Sequence, residues 1–165
     1  TPESERQLGR VVQAAMEFRK VEVLMRRRSW DEALALVEEI LGLNEEEPDY
    51  HATRGWLLFQ RAGGAEKAAP DALASIDRAL QLAEDHDRAH YCKGMILKRT
   101  GQPTDALRHF ERAAEINPRN IDAEREVRVA RMRGRSSKPP PEGEGKGTRT
   151  SRDSFFGKLF GGKKK

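Results

Sequence analysis

Residues 87–120 read DRAHYCKGMILKRTGQPTDALRHFERAAEINPRN, a unit of 34 residues. Its first half places small or apolar residues at Ala89, Cys92, Gly94, Ile96 and Leu97. Its second half places them at Ala106, Leu107, Phe110, Ala113, Ala114 and Ile116. The spacing follows the period of about 3.6 of an α-helix and not the alternation of a strand. Gly101-Gln102-Pro103 separates the halves, with Pro103 where a first-turn proline loses no intrahelical hydrogen bond. Asn117-Pro118 ends the second helix, because the proline ring blocks continuation and biases the residue before it toward extended angles.

The unit recurs. Ala106 and Phe110 lie 34 residues after Ala72 and Ile76, and Trp30-Asp31-Glu32-Ala33 matches Pro103-Thr104-Asp105-Ala106. On glycine, Tyr50, Ala52, Gly55, Trp56 and Leu58 stand against Ala89, Tyr91, Gly94, Met95 and Leu97. Three helix pairs follow, at about residues 14–47, 48–86 and 87–120, the second lengthened by Gly63–Ala69. A last helix at 121–133 has no partner after it, and its alternation of Arg with Val, Ala and Met suits a cap with one wet face. Upstream, Thr1-Pro2-Glu3 opens a long first helix to about Arg28, and Ser29 to Glu32 has the spacing of a capping box.

Gly94, Leu97, Gly101, Ala106, Phe110, Ala113 and Pro118 resemble the pattern of a tetratricopeptide (TPR) repeat, from which His90 and Lys93 depart. The resemblance covers about residues 14–133. It implies an all-α solenoid of three helix-turn-helix repeats and a C-terminal capping helix, in a right-handed stack. More loosely, Gly55-Trp56, His90-Tyr91 and Asp122–Arg128 resemble C-terminal TPR segments of bacterial multidomain proteins that carry a J-domain or signalling module.

The resemblance also implies non-enzymatic protein–protein interaction, as an adaptor or scaffold. First helices of TPR repeats line a concave groove that holds a partner peptide or helix. Those positions here are Phe18, Glu22 and Met25, then Ala52, Trp56 and Phe59, then Arg88, Tyr91, Met95 and Lys98, and last Arg125, Val129 and Met132. Aromatic and Met side chains make this an apolar, adaptable wall. The alternative is that Trp56 and Phe59 pack between helices. TPR domains that clamp a C-terminal carboxylate need Lys and Asn where this chain has Phe18 and Glu22, so that mode is disfavoured.

Composition adds exclusions. Hydrophobic content of 36% with 35% charged residues fits thin two-helix layers better than a large core. One cysteine forms no internal disulfide and fits a reducing, cytoplasmic setting. No GxxxxGK, HExxH or Cys-x-x-Cys appears, so no cofactor, metal site or enzyme is expected. His51, His86, His90 and His109 read as solvated or cap-forming, and Cys92 as a small buried hydrophobe. The chain begins at Thr1 without a methionine, which points to a processed or excised piece.

From residue 135 the composition reads as a disordered tail, with three consecutive prolines and many Gly and Ser. Nine Lys and Arg against three acids give it a net +6, so the rest of this +4 chain carries −2. The high pI therefore belongs to the tail, and no nucleic acid partner is expected. Residues 154–165 end it with Phe155, Phe156, Lys158, Leu159 and Phe160. This motif suits docking on a protein, weak contact with an anionic membrane, or self-docking into the groove. A tethering module of that kind is the runner-up function.

Overall fold

The computed structural model describes residues 1–136, so the expectations for the Phe155–Phe160 motif and for the tail beyond Ser136 lie outside the described residues. The last helix runs to Ser136 and not to 133. Seven α-helices follow one another among the described residues. They are α1 (Pro2–Arg26), α2 (Trp30–Leu43), α3 (Pro48–Arg61), α4 (Ala69–Leu82), α5 (Asp87–Arg99), α6 (Pro103–Ile116) and α7 (Ile121–Ser136), with a short 3-10 turn at Glu66–Ala68. One compact unit spans Thr1–Arg133.

Local sequence sets the ends of these helices. Thr1 caps α1 by accepting the Ser4 N–H, and prolines open α1, α3, α4 and α6 within their first two residues. Asn117 leaves α6 with φ −130° and ψ 93°, the extended region that a following proline favours and that Asn44 and Ala83 also adopt after α2 and α4. The capping box at Ser29 does not form: Ser29 holds the N-cap position, but its side chain makes no capping hydrogen bond. Gly63, Gly64 and Gly101 take positive φ in the tight turns.

Each helix packs on its neighbours in sequence, as a solenoid requires. One core joins α1, α2 and α3 through Val21, Val37, Ile40 and Leu57. A second joins α3, α4 and α5 through Phe59, Ile76 and Ile96, and a third joins α5, α6 and α7 through Leu97, Phe110 and Val127. Within a repeat the two helices meet closely. A β-carbon on Gly55 would stand 2.6 Å from the Ala72 carbonyl oxygen, and one on Gly94 would stand 2.7 Å from the Phe110 ring. The glycines that align the repeats in sequence are thus the contact points of the hairpins. This is an all-α solenoid of three helix pairs and a final helix.

Gly55→Ala gains helix propensity but drives a methyl group into backbone that cannot rotate away, so the clash decides the sign. We expect a loss of about 1–3 kcal/mol, read as a lower melting temperature. Gly9→Ala is the control: nothing lies within 4 Å of its would-be β-carbon. It should raise stability by about 0.5–1 kcal/mol.

Candidate functional site

The first helices of three successive repeats, α1, α3 and α5, wall one cavity of about 390 Å³. Its lining is Glu22, Met25 and Arg26 from α1, Trp56 from α3, and Arg88, Tyr91 and Cys92 from α5. Glu22, Met25, Trp56, Arg88 and Tyr91 are the expected groove residues that meet there. Arg26 and Cys92 were not expected. Arg26 sits one turn past Glu22, and Cys92 adjoins Tyr91, so helical spacing from the expected positions is the signal for Arg26.

Two expectations are corrected. Ala52 and Phe59 are wholly buried and cannot line a groove. Their helix is the central one, packed by α2, α4 and α5, which leaves only a narrow face open. Phe59 instead packs with Ile76 and Ile96, while Trp56 beside it keeps one edge on the cavity. Their ring centroids are 6.4 Å apart, and the Arg99 guanidinium lies 5.8 Å from the Trp56 ring and 5.9 Å from the Phe59 ring.

The other expected positions lie elsewhere. Phe18 is half-buried against Tyr50, with ring centroids 4.8 Å apart. Met95 packs partly on the third core, and Lys98 pairs with Glu126 at 2.5 Å. Arg125 pairs with Asp122 in its own helix, Val129 is half-buried and Met132 is exposed.

Of the charges at the cavity, Glu22 and Arg88 are partnered, whereas Arg26 is exposed and forms no ion pair with a described residue. Arg88 reaches Glu22 at 3.5 Å and Asp49 at 3.6 Å, and donates to Thr53 Oγ1 at 3.5 Å. A hydrogen bond from His86 and then the nearby Arg88 hold the Asp49 carboxyl below the usual carboxylate range. His86 also caps α5, with Nδ1 accepting the Ala89 N–H. Burial raises the Tyr91 hydroxyl, so it stays protonated, and pushes the Cys92 thiol up to about 12. The cavity therefore presents an apolar and aromatic wall beside the Glu22–Arg88 pair and the Arg26 cation. Among the described residues, no three His, Cys, Asp or Glu side chains gather for a metal ion.

Away from the cavity, His90 and His109 are half-buried and paired, not solvated. His90 Nε2 lies 2.9 Å from the Glu84 carbonyl and so donates to it. Its Nδ1 must then accept from His109 Nδ1, 3.0 Å away. Both rings are neutral in this arrangement. Burial lowers both pKa values, that of His109 to about 4.

Two measurements follow from these environments. Cys92 should stay unreactive toward a thiol reagent at about pH 8 in the native chain and react once guanidinium unfolds it. For His109, the folded chain binds fewer protons than the unfolded chain between its folded value of about 4 and the ordinary 6.5. Stability should therefore fall as pH drops through that window. His109→Gln should flatten the fall in melting temperature between about pH 6.5 and pH 4.5.

Comparison with known proteins agrees with the helical-repeat fold. The chain is 35% identical over 63 residues to the BBSome complex member BBS4 homolog of Drosophila melanogaster, covering 38% of this chain and 13% of that protein. It is 40% identical over 55 residues to anaphase-promoting complex subunit 7 of Dictyostelium discoideum, covering 33% of this chain and 9% of that protein. The chain thus spans only a small part of the length of these curated relatives. Among solved structures, the first TPR of Spaghetti (RPAP3) bound to the HSP90 peptide SRMEEVD superposes with a TM-score of 0.61 at 18% identity. That match covers 74% of this chain and 93% of the other, and at such identity it speaks for the fold alone. The family model described as the TT21 fifth ARM repeats domain matches residues 13–121, from within α1 to the start of α7. This chain belongs to that family of helical repeat domains.

Proposed function

We propose that the chain is a non-enzymatic protein-interaction module that seats an apolar side chain of a partner peptide or helix between α1, α3 and α5. The observation that carries this reading is the cavity shared by Met25, Trp56 and Tyr91, which come from three different repeats. An apolar group entering it need not strip a charge of its partner, because Glu22 and Asp49 already face Arg88. Buried aromatic anchors of this kind supply most of the energy in protein interfaces. Phe18 and Glu22 stand where a carboxylate clamp needs Lys and Asn, and Arg88 is already engaged by Glu22 and Asp49. The HSP90-peptide mode named for the solved relative is therefore not carried over to this chain.

The test begins with peptides selected on the full chain. Their affinities are then compared for the wild type, Tyr91→Ala and Met25→Ala, with melting curves confirming that each variant folds. Each substitution should weaken binding by roughly tenfold or more. Affinity should change little between about 50 and 500 mM salt, because apolar contacts are not screened. Binding that ignores both substitutions and collapses with salt would favour the tether reading, in which the basic 154–165 segment makes the contact.

A further inference from the structure

Four of the six large hydrophobic side chains exposed among the described residues lie on α1: Leu8 at 64%, Val12 at 51%, Met16 at 66% and Val23 at 38%. Steps of four, four and seven put them on one stripe, opposite the face where Ala14 and Val21 are buried against α2. The repeat register explains the stripe. Met16 and Val23 stand 34 residues before Tyr50 and Leu57, and 73 before Ala89 and Ile96. All four of those later residues are buried. They lie in the cores that α2 and α4, the second helices of the preceding repeats, build with α3 and α5. On α1 no described helix fills that place.

We propose that a second copy of this chain covers it, with the two α1 helices packed antiparallel about a two-fold axis at Val12. In that pairing Val12 meets its own symmetry mate, and Leu8 lies opposite Met16 of the other copy. Glu5 then lies opposite Arg19 of the other copy, at both ends of the apolar segment. An isologous interface requires such self-complementarity, because each contact occurs twice. Neither Glu5 nor Arg19 forms an ion pair or side-chain hydrogen bond with any described residue, so both charges are free for the pairing. Gly9 and the exposed Ala15 flank the stripe without bulk, and nothing lies within 4 Å of a β-carbon on Gly9. The matched segment from Glu5 to Arg19 spans roughly 21 Å at about 1.5 Å per residue. That length suits a reversible dimer and not an obligate one. No residue of the Glu5–Arg19 segment lines the Trp56–Tyr91 cavity, so this inference does not depend on the proposed function.

The test is sedimentation velocity on the full chain from about 5 to 500 μM, where mass action populates a weak dimer. Mass should rise toward twice the monomer value. Val12→Glu sets two carboxylates against each other on the axis and should leave a monomer throughout. Glu5→Arg alone and Arg19→Glu alone each replace two attractions with two repulsions, and each should weaken the dimer by about tenfold. The double exchange Glu5→Arg with Arg19→Glu should restore it. All three substitutions fall on exposed positions, so melting temperatures near that of the wild type verify folding in each of the four variants. A monomer at the highest concentration overturns the proposal. So does a dimer indifferent to Val12→Glu, or a double exchange that fails to recover.

Discussion

The stack depends on how closely the two helices of a repeat approach one another. At Gly55 the approach is set by the Ala72 carbonyl, and at Gly94 by the Phe110 ring, with no room for a β-carbon at either place. Because these two hairpins close this tightly, their first helices are held at a fixed offset, while in the first repeat Val21 holds the corresponding place and packs into the core. Three first helices consequently lie side by side, and their side chains meet in one cavity. Core burial drives the folding. The glycine contacts decide which surfaces that burial brings together.

Much of this is legible in the sequence itself. The glycines, the alanines opposite them and the prolines at helix starts mark the hairpins directly, because each is tied to a steric requirement of the backbone. Features without such a marker were missed. Arg28 adopts a left-handed conformation, φ 60°, at the position that Gly101 occupies in the third repeat. Arginine carries no sign of that conformation in sequence, and the first helix, expected to about Arg28, ends at Arg26. Ser29 likewise has the right identity for a capping box and does not make the bond.

The cavity was half legible for a related reason. Helical spacing identifies the face of a first helix, but the width of the open strip depends on how many neighbours press on that helix. On central α3 the strip shrinks to the neighbourhood of Trp56, which removes Ala52 and Phe59. On α1 and α5 it stays wide enough for Glu22, Met25, Arg88 and Tyr91. The histidines show a different limit. His51 and His90 hold corresponding places, and each lies within hydrogen-bond distance of a carbonyl in the loop before its helix, that of Glu45 or Glu84. Yet Ser75 donates to the His51 backbone carbonyl, whereas the corresponding His109 pairs with the His90 ring. Equivalent positions thus carry unlike chemistry, which periodicity alone does not reveal.

Arg88 belongs to the third repeat, yet it touches Asp49 of the second and Glu22 of the first. In an ideal repeat array each unit interacts only with its neighbours, so the ends can peel away one unit at a time. A contact that skips a unit breaks that rule. The half-exposed pair between Arg88 and Glu22 is itself weak. A group filling the adjacent cavity touches the same three repeats and would add to the same coupling. Occupancy of the cavity would then appear as greater cooperativity: the repeats would melt together, and terminal fraying would be suppressed at a distance from the bound group.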